Sequence, residues 1–312
     1  MSNLIEIKKR MESIASTIKV TKVMQMIATA KIAKIKPMMV VVDKYNQSAN
    51  DTIALYLKNA ENTNEIDAFF EKNEDKKGDN NENKKSKSSE SKVNKKVLFI
   101  MFASDKGTCG SVNTNIYKFA NETIKEFQDK KCEITILPVG KRAVKWSKTN
   151  NEKMNFKIYN SGEKFEDAEY CNSEMVCKIT SEIVNGFKSG EFDEINVLYH
   201  KYKNIITCYP EKIRILPISK DEIKVENACF TNIDESENTI KAMIDFFVRT
   251  KIYNCYISNI ASIVSSRMNA MDNATKNGQE LINDLRIKYN KTRQASITAE
   301  LSDIVSGSEA LN

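Results

Sequence analysis

Histidine is almost missing from this sequence. His200 is the single one among 312 residues, so a histidine-rich metal site or a Ser-His-Asp triad has only that position to be built on, and a structural place at a strand end fits it better. Proline is scarce too, at four, which leaves long stretches free to be helical. No apolar run approaches the ~18 residues of a bilayer span. The seven cysteines (Cys109, Cys132, Cys171, Cys177, Cys208, Cys229, Cys255) contain no C-x-x-C pair, which argues against a zinc site or a disulfide framework and for reduced thiols. The first residues carry Glu6 and Glu12 and lack an apolar signal core or an acid-poor, Arg/Ser-rich pattern. Neither a secretory nor an organellar presequence is expected.

What is present is charge. Lys, Arg, Asp and Glu make up 29% of the chain, with a net charge of +6. Residues 1–36 alone hold eight basic side chains (Lys8, Lys9, Arg10, Lys19, Lys22, Lys31, Lys34, Lys36) against Glu6 and Glu12, an excess equal to that of the whole chain. Such a patch suits an acidic protein surface, an anionic membrane or a nucleic acid, or is a solvated helix face. Through the same region Ile7, Met11, Ile14, Ile18, Thr21, Gln25, Ala28, Ile32, Ile35, Met39 and Val42 recur every three or four residues, the spacing of a coiled-coil seam. The spacing predicts one helix continuing to about Leu57, roughly 85 Å long, bent near Ala33–Lys36 by Pro37 but not ended by it. Its methionines suit a seam that repacks, though gap filling serves as well.

From residue 235 onward proline is absent again, and Met243, Phe247, Ile257, Ala261, Val264, Met268, Met271, Ile282, Leu285 and Tyr289 return at mixed heptad spacings. A second helix of roughly 105 Å follows, with Gly278 inside it at a cost of about 1 kcal/mol that a close helix crossing would explain. Between the two lie other elements. Residues 71–96 hold one apolar side chain, Val93, and read as a disordered insertion. Val97–Ala103, Cys132–Val139, Phe156–Tyr159, Ile195–His200 and Ile205–Ile218 read as strands, the last two separated by a loop at Lys201–Asn204. Asn113–Asp129, Arg142–Lys148 and Glu166–Phe187 read as helices. Strands alternating with helices predict an open, largely parallel sheet. The fold class is α/β: a Rossmann-like α/β domain inserted between long N- and C-terminal helices paired as an antiparallel coiled coil. The expected boundaries are 1–70, 71–96, 97–220 and 221–312.

Chemistry is thin. Gly107 and Gly110 give G-x-x-G after the first strand, where α/β proteins hold phosphates, but the full G-x-G-x-x-G and the G-K-[ST] run are absent, and a tight structural turn is the plainer reading. Ser104 and Asp105 lack a second polar cluster to orient them for catalysis. No cofactor or metal is expected.

Three blocks carry a resemblance: VTKVMQMIATAKIAKIK (Val20–Lys36), ASDKGTCGSVNTNIYK (Ala103–Lys118), and SRMNAMDNATKNG with YNKTRQASITAELSDIVSG (Ser266–Gly307). In order and spacing they are similar to the gamma subunit of F-type ATP synthases, the central stalk, over most of the chain outside 71–96.

The resemblance implies a non-catalytic rotor, one copy per complex, that transmits torque between a proton-driven membrane ring and three catalytic sites. Its partners would be three alpha and three beta subunits, epsilon and the membrane c-ring, with no nucleic acid. Arg267, Arg293, Gln294, Thr298 and Asp303, with Glu300, match positions that meet beta subunits. Met24 matches a neighbour on the opposing helix. Tyr199, Lys201, Tyr202, Lys203 and Tyr209 fall in the foot that joins epsilon and the ring. Arg267 is read as exposed, so that its loss would weaken coupling and leave folding nearly unchanged. The location implied is the cytoplasmic face of a bacterial inner membrane, or the matrix side of a mitochondrial one. The alternatives are a coiled-coil nucleic-acid binder and a nucleotide-dependent α/β enzyme.

Overall fold

The computed structural model describes residues 2–59, 69–70, 95–159, 165, 169, 172–218 and 237–309. Two helices dominate, α1 (Ser2–Asn59) and α5 (Glu237–Glu309). At 1.5 Å per residue they are about 87 and 110 Å long. α1 runs unbroken through Pro37, as the continuing seam requires.

Every seam position named from the spacing is buried or half-buried. The two polar ones are matched across the pair: the Thr21 hydroxyl lies 2.8 Å from that of Thr275, and Gln25 Nε2 donates to Asp272 Oδ1 at 2.9 Å. Farther along, Asn254 Nδ2 donates to Asp43 Oδ1. Partners on α5 descend as α1 ascends, so the pair is antiparallel. Gly278 sits at the crossing: a Cβ there would come within 2.8 Å of Ile18 Cγ1, so a side chain would force the helices apart. Continuing that register places the start of α1 opposite residue 294 or so. The last turns of α5 therefore run on as a single helix.

The inserted domain is a five-stranded sheet in the order β3-β2-β1-β4-β5, with β1 (Lys96–Phe102), β2 (Glu133–Val139), β3 (Lys157–Ile158), β4 (Glu194–Tyr202) and β5 (Cys208–Leu216). All neighbours are parallel except β4 and β5, which form a hairpin. The sheet separates two cores by the period-two alternation of β1. Leu98, Ile100 and Phe102 face α1, α5 and α4 (Ser173–Lys188), whereas Val97, Phe99 and Met101 face α2 (Val112–Asp129) and α3 (Lys141–Met154). Burial on both sides explains why β1 reads as a continuous apolar run.

Boundaries shift by a few residues from the sequence reading. Lys96 already belongs to β1, and the remainder of the expected insertion, 71–94, lies outside the described residues, as do residues 219–236 around the expected start of the last domain. α4 begins at Ser173 rather than Glu166, because Asn172 caps it by accepting from the amides of Glu174 and Met175. Glu169 stands in a turn ahead of it.

Candidate functional site

The joint between α5 and the sheet is polar, which an apolar-periodicity reading does not foresee. β1 stops pairing with β4 at Leu198, leaving the last residues of β4 with one open edge. α5 closes it. Asn259 Oδ1 accepts from the His200 amide at 3.1 Å, Ser258 Oγ from the Tyr202 amide at 2.9 Å, and Ser262 Oγ donates to the His200 carbonyl at 3.2 Å. These side chains supply hydrogen bonds that a neighbouring strand would otherwise give. Farther along, Ser266 Oγ donates to the Cys109 carbonyl at 2.8 Å, and Asn269 Nδ2 to the Ile205 carbonyl in the β4–β5 turn at 2.7 Å. Gly110, at φ +61°, passes so close that a Cβ would meet Ser266 Oγ at 2.9 Å.

Between these contacts lies a buried ion pair. Arg267 Nη1 and Nη2 each donate to one oxygen of Glu169 at 2.8 Å, a two-pronged geometry. Glu169 Oε1 also accepts from the backbone amides of Asp105 and Lys106, at 3.1 Å each, and Asp105 returns a bond by accepting from the Glu169 amide at 2.8 Å. Burial pushes the Glu169 carboxyl upward, but the hydrogen bonds and charge of Arg267 and the two loop amides outweigh it and hold the group below its ordinary value. Burial acts on Arg267 in the opposite sense, and Glu169 more than compensates, leaving the guanidinium above its ordinary value.

The loop after β1 is thus built to hold an anion, and the anion is the chain's own. In nucleotide-binding α/β proteins loop amides at this place face a phosphate. Here the Glu169 carboxylate meets them. Ser104 and Asp105, which the sequence left without an orienting cluster, do have one: Asn113 Nδ2 donates to Ser104 Oγ at 2.7 Å, and Asp105 Oδ1 accepts from the Lys141 amide at 3.2 Å. These bonds fasten the loop to α2 and α3 and leave Ser104 fully buried. Among the described residues, no cluster of His, Cys, Asp and Glu suits a metal ion.

Comparison with known proteins follows the same outline. A family model described as ATP synthase matches residues 3–311. The ATP synthase gamma chain of Pelagibacter ubique is 31% identical over 321 residues, with 100% of both chains covered. The chain belongs to the ATP synthase gamma family. The gamma chain of Mesoplasma florum is 32% identical over 322 residues, covering 100% of this chain and 99% of the relative. A chain in the Euglena gracilis mitochondrial ATP synthase, solved as OSCP/F1/c-ring in rotational state 3, matches with a TM-score of 0.62 at 17% identity, covering 99% of this chain and 95% of that one. At that identity the likeness is one of fold.

Against the gamma family's expected contact positions, the structure divides the residues into groups. Arg293, Gln294, Thr298, Glu300 and Asp303 are exposed along the end of α5. Met24 is half-buried on α1, beside the turn of α5 that carries Asp272 and Thr275. Arg267 is not on the surface: it is 7% exposed, and both terminal nitrogens are engaged by Glu169. Reading it as exposed is corrected, because its helix face is the one pressed against the loop after β1. In the foot, Lys203 and Tyr209 are exposed and Tyr202 is half-buried, while exposed Lys201 is paired with Glu211. Tyr199 is buried, its hydroxyl donating to Glu211 at 2.9 Å, which removes it from the foot's outer surface.

Sequence reasoning missed Ile206, 86% exposed at the tip of the β4–β5 turn, and Glu169. The first carried a signal, an apolar residue in a polar turn. The second carried none, since its partner lies 98 residues away.

Proposed function

We propose that this chain is the central-stalk rotor of an ATP synthase, a non-catalytic subunit that carries torque between the proton-driven membrane ring and the alpha/beta hexamer in ATP synthesis or hydrolysis. One observation carries the reading. The outer part of the two-helix rod leaves large apolar side chains uncovered: Val20, Val23 and Ile27 on α1, and Ile297, Leu301, Ile304 and Val305 on α5, where α1 no longer runs beside it. The α5 set recurs at i, i+4, i+7 and i+8, a single stripe. A stripe of that kind, left exposed with no helix packed on it among the described residues, calls for a surrounding protein sleeve.

A rod of unlike faces presents each of three beta subunits with a different side, and different contact energies bias each toward a different conformation. Arg293, Gln294, Thr298 and Asp303 are proposed to meet beta subunits at the end of α5. Lys203 and Tyr209, with Ile206, are proposed to meet the c-ring and epsilon. One copy serves each complex, since the chain lies on the axis.

Both alternatives fare worse. Val20, Val23 and Ile27 interleave with Lys19 and Lys22 on the exposed side of α1, a mixed apolar and basic surface that favours a protein over a phosphate backbone. Nucleotide binding in the α/β domain would have to displace Glu169. No described helix is long and apolar enough to cross a membrane. The chain is peripheral, held through its complex, and the cytoplasmic face of a bacterial inner membrane is the proposed location.

The test is reconstitution with alpha and beta subunits. Assembly of one copy into an alpha-beta hexamer with ATP hydrolysis that depends on its presence is expected. Truncation before Tyr289 is expected to lower that hydrolysis severely. A hexamer that forms and turns over equally well without the chain would reject the proposal.

A further inference from the structure

We propose that Glu169 is a positioning residue that locks the α/β domain to the axle against twist, acting through Arg267 and the loop after β1. The inference rests on the rotor reading above. Torque that enters at the foot passes into the sheet and must leave through the joint with α5. Apolar burial resists separation of two surfaces but is non-directional and resists sliding poorly. A planar fork of two charged hydrogen bonds fixes an angle as well as a distance.

Glu169 grips both sides of the joint at once. It takes Arg267 from α5 at 2.8 Å through both oxygens, and takes the amides of Asp105 and Lys106 from the loop. Asp105 extends the grip to the first turn of α3 through the Lys141 amide. A shift of α5 by about 1 Å along the forked bonds carries both past hydrogen-bonding length, and a twist across them turns the planar fork out of line with its two oxygens. Ser266 and Asn269 flank the pair but each makes a single bond that tolerates rotation.

The lock needs a carboxylate with both oxygens in place, because Arg267 donates to each of them and two backbone amides donate to one. That gives the experiment its form. The whole complex is placed in sealed vesicles, and proton pumping is measured per ATP hydrolysed. Coupled pumping by the unaltered complex tests the rotor reading alone, and its failure would reject that reading without bearing on the lock.

In Glu169→Gln, hydrolysis is expected to persist while pumping per ATP falls about threefold, since the amide nitrogen cannot accept from Arg267: one prong of the fork is lost and the other is no longer strengthened by a carboxylate charge. Glu169→Ala is expected to lose more, and about 50 mM acetate should restore at least half of it by occupying the emptied cradle through mass action. Butyrate, longer than the CH2–COO⁻ fragment that the substitution removes, should not. An unchanged pumping ratio in Glu169→Gln would overturn the proposal. So would a loss in Glu169→Ala that acetate leaves untouched, which would make Glu169 a packing residue only. Should the alanine variant fail to assemble, the glutamine variant decides.

Discussion

Arg267→Ala is expected to destabilise the isolated chain by about 3–5 kcal/mol, the range for breaking a buried ion pair by removing one partner. The truncation leaves the Glu169 carboxylate buried with only two loop amides and no countercharge. Its folded pKa, held below the ordinary value chiefly by Arg267 against the upward push of burial, would rise. The linkage sign follows. In the unaltered chain Glu169 contributes stability that is fully present above its unfolded pKa and is lost as pH falls through the depressed folded value. In the variant that contribution disappears and burial of the carboxyl begins to favour acid. Urea denaturation at pH 7, with the melting temperature as a second probe, checks the magnitude. Lys178→Ala, which removes an exposed pairing with Glu174 one helical turn away, is the control and should change nothing measurable. Equal stability of Arg267→Ala and the unaltered chain would place the arginine on the surface after all.

The second large effect is expected at His200. His200 is 1% exposed, and neither ring nitrogen meets a hydrogen-bond partner among the described residues. Burial pushes its pKa down to about 4, partly offset by the neighbouring Asn259 side chain. The unfolded chain, with an ordinary value near 6.5, binds a proton over a range in which the folded chain does not. Stability is therefore lost as pH falls from about 6.5 toward 4, by about 3 kcal/mol in all. Below the folded value the loss levels off. His200→Leu removes the proton-binding group and should flatten the stability curve across that window while leaving stability near neutral pH little changed, since it also removes two unpaired nitrogens from the interior. Chemical denaturation at several pH values reads the difference. A slope as steep in His200→Leu as in the unaltered chain would assign the acid sensitivity elsewhere.

The long helices and the strands of the sheet were legible because their signals are local and repetitive. The seam from Ile7 to Val42 could be written from spacing, and Thr21 and Gln25, its two polar places, turned out to have polar partners on α5. Gly278 was legible as a close crossing for the same reason: an expensive residue in a helix needs a neighbour to justify it. The sheet's alternation and its parallel order followed from β1 and the helices around it.

What escaped the sequence was the joint. Ser258, Asn259, Ser262, Ser266, Arg267 and Asn269 interrupt an apolar helix with polar side chains whose partners lie at least 56 residues away. Periodicity scores such residues as breaks in a stripe. Only the fold shows that they finish the edge of β4 and hold two loops. Arg267 illustrates the consequence, because charge alone suggests exposure, and burial became readable only once Glu169 stood opposite it. The burial of Tyr199 was hidden for a similar reason: the strand was legible as far as His200, but which of its side chains turn inward depends on elements far away in sequence.

The central claim, that α1 and α5 form one axle turning as a unit, is tested most directly by watching it turn. A bead is attached through Ile206→Cys, at the exposed tip of the foot, in a background cleared of other reactive thiols, and the chain is assembled with immobilised alpha and beta subunits. On adding ATP, the account predicts rotation in one direction with three dwells about 120° apart, set by the threefold arrangement of the surrounding pairs. A complex that hydrolyses ATP at full rate while the bead stays still would contradict it.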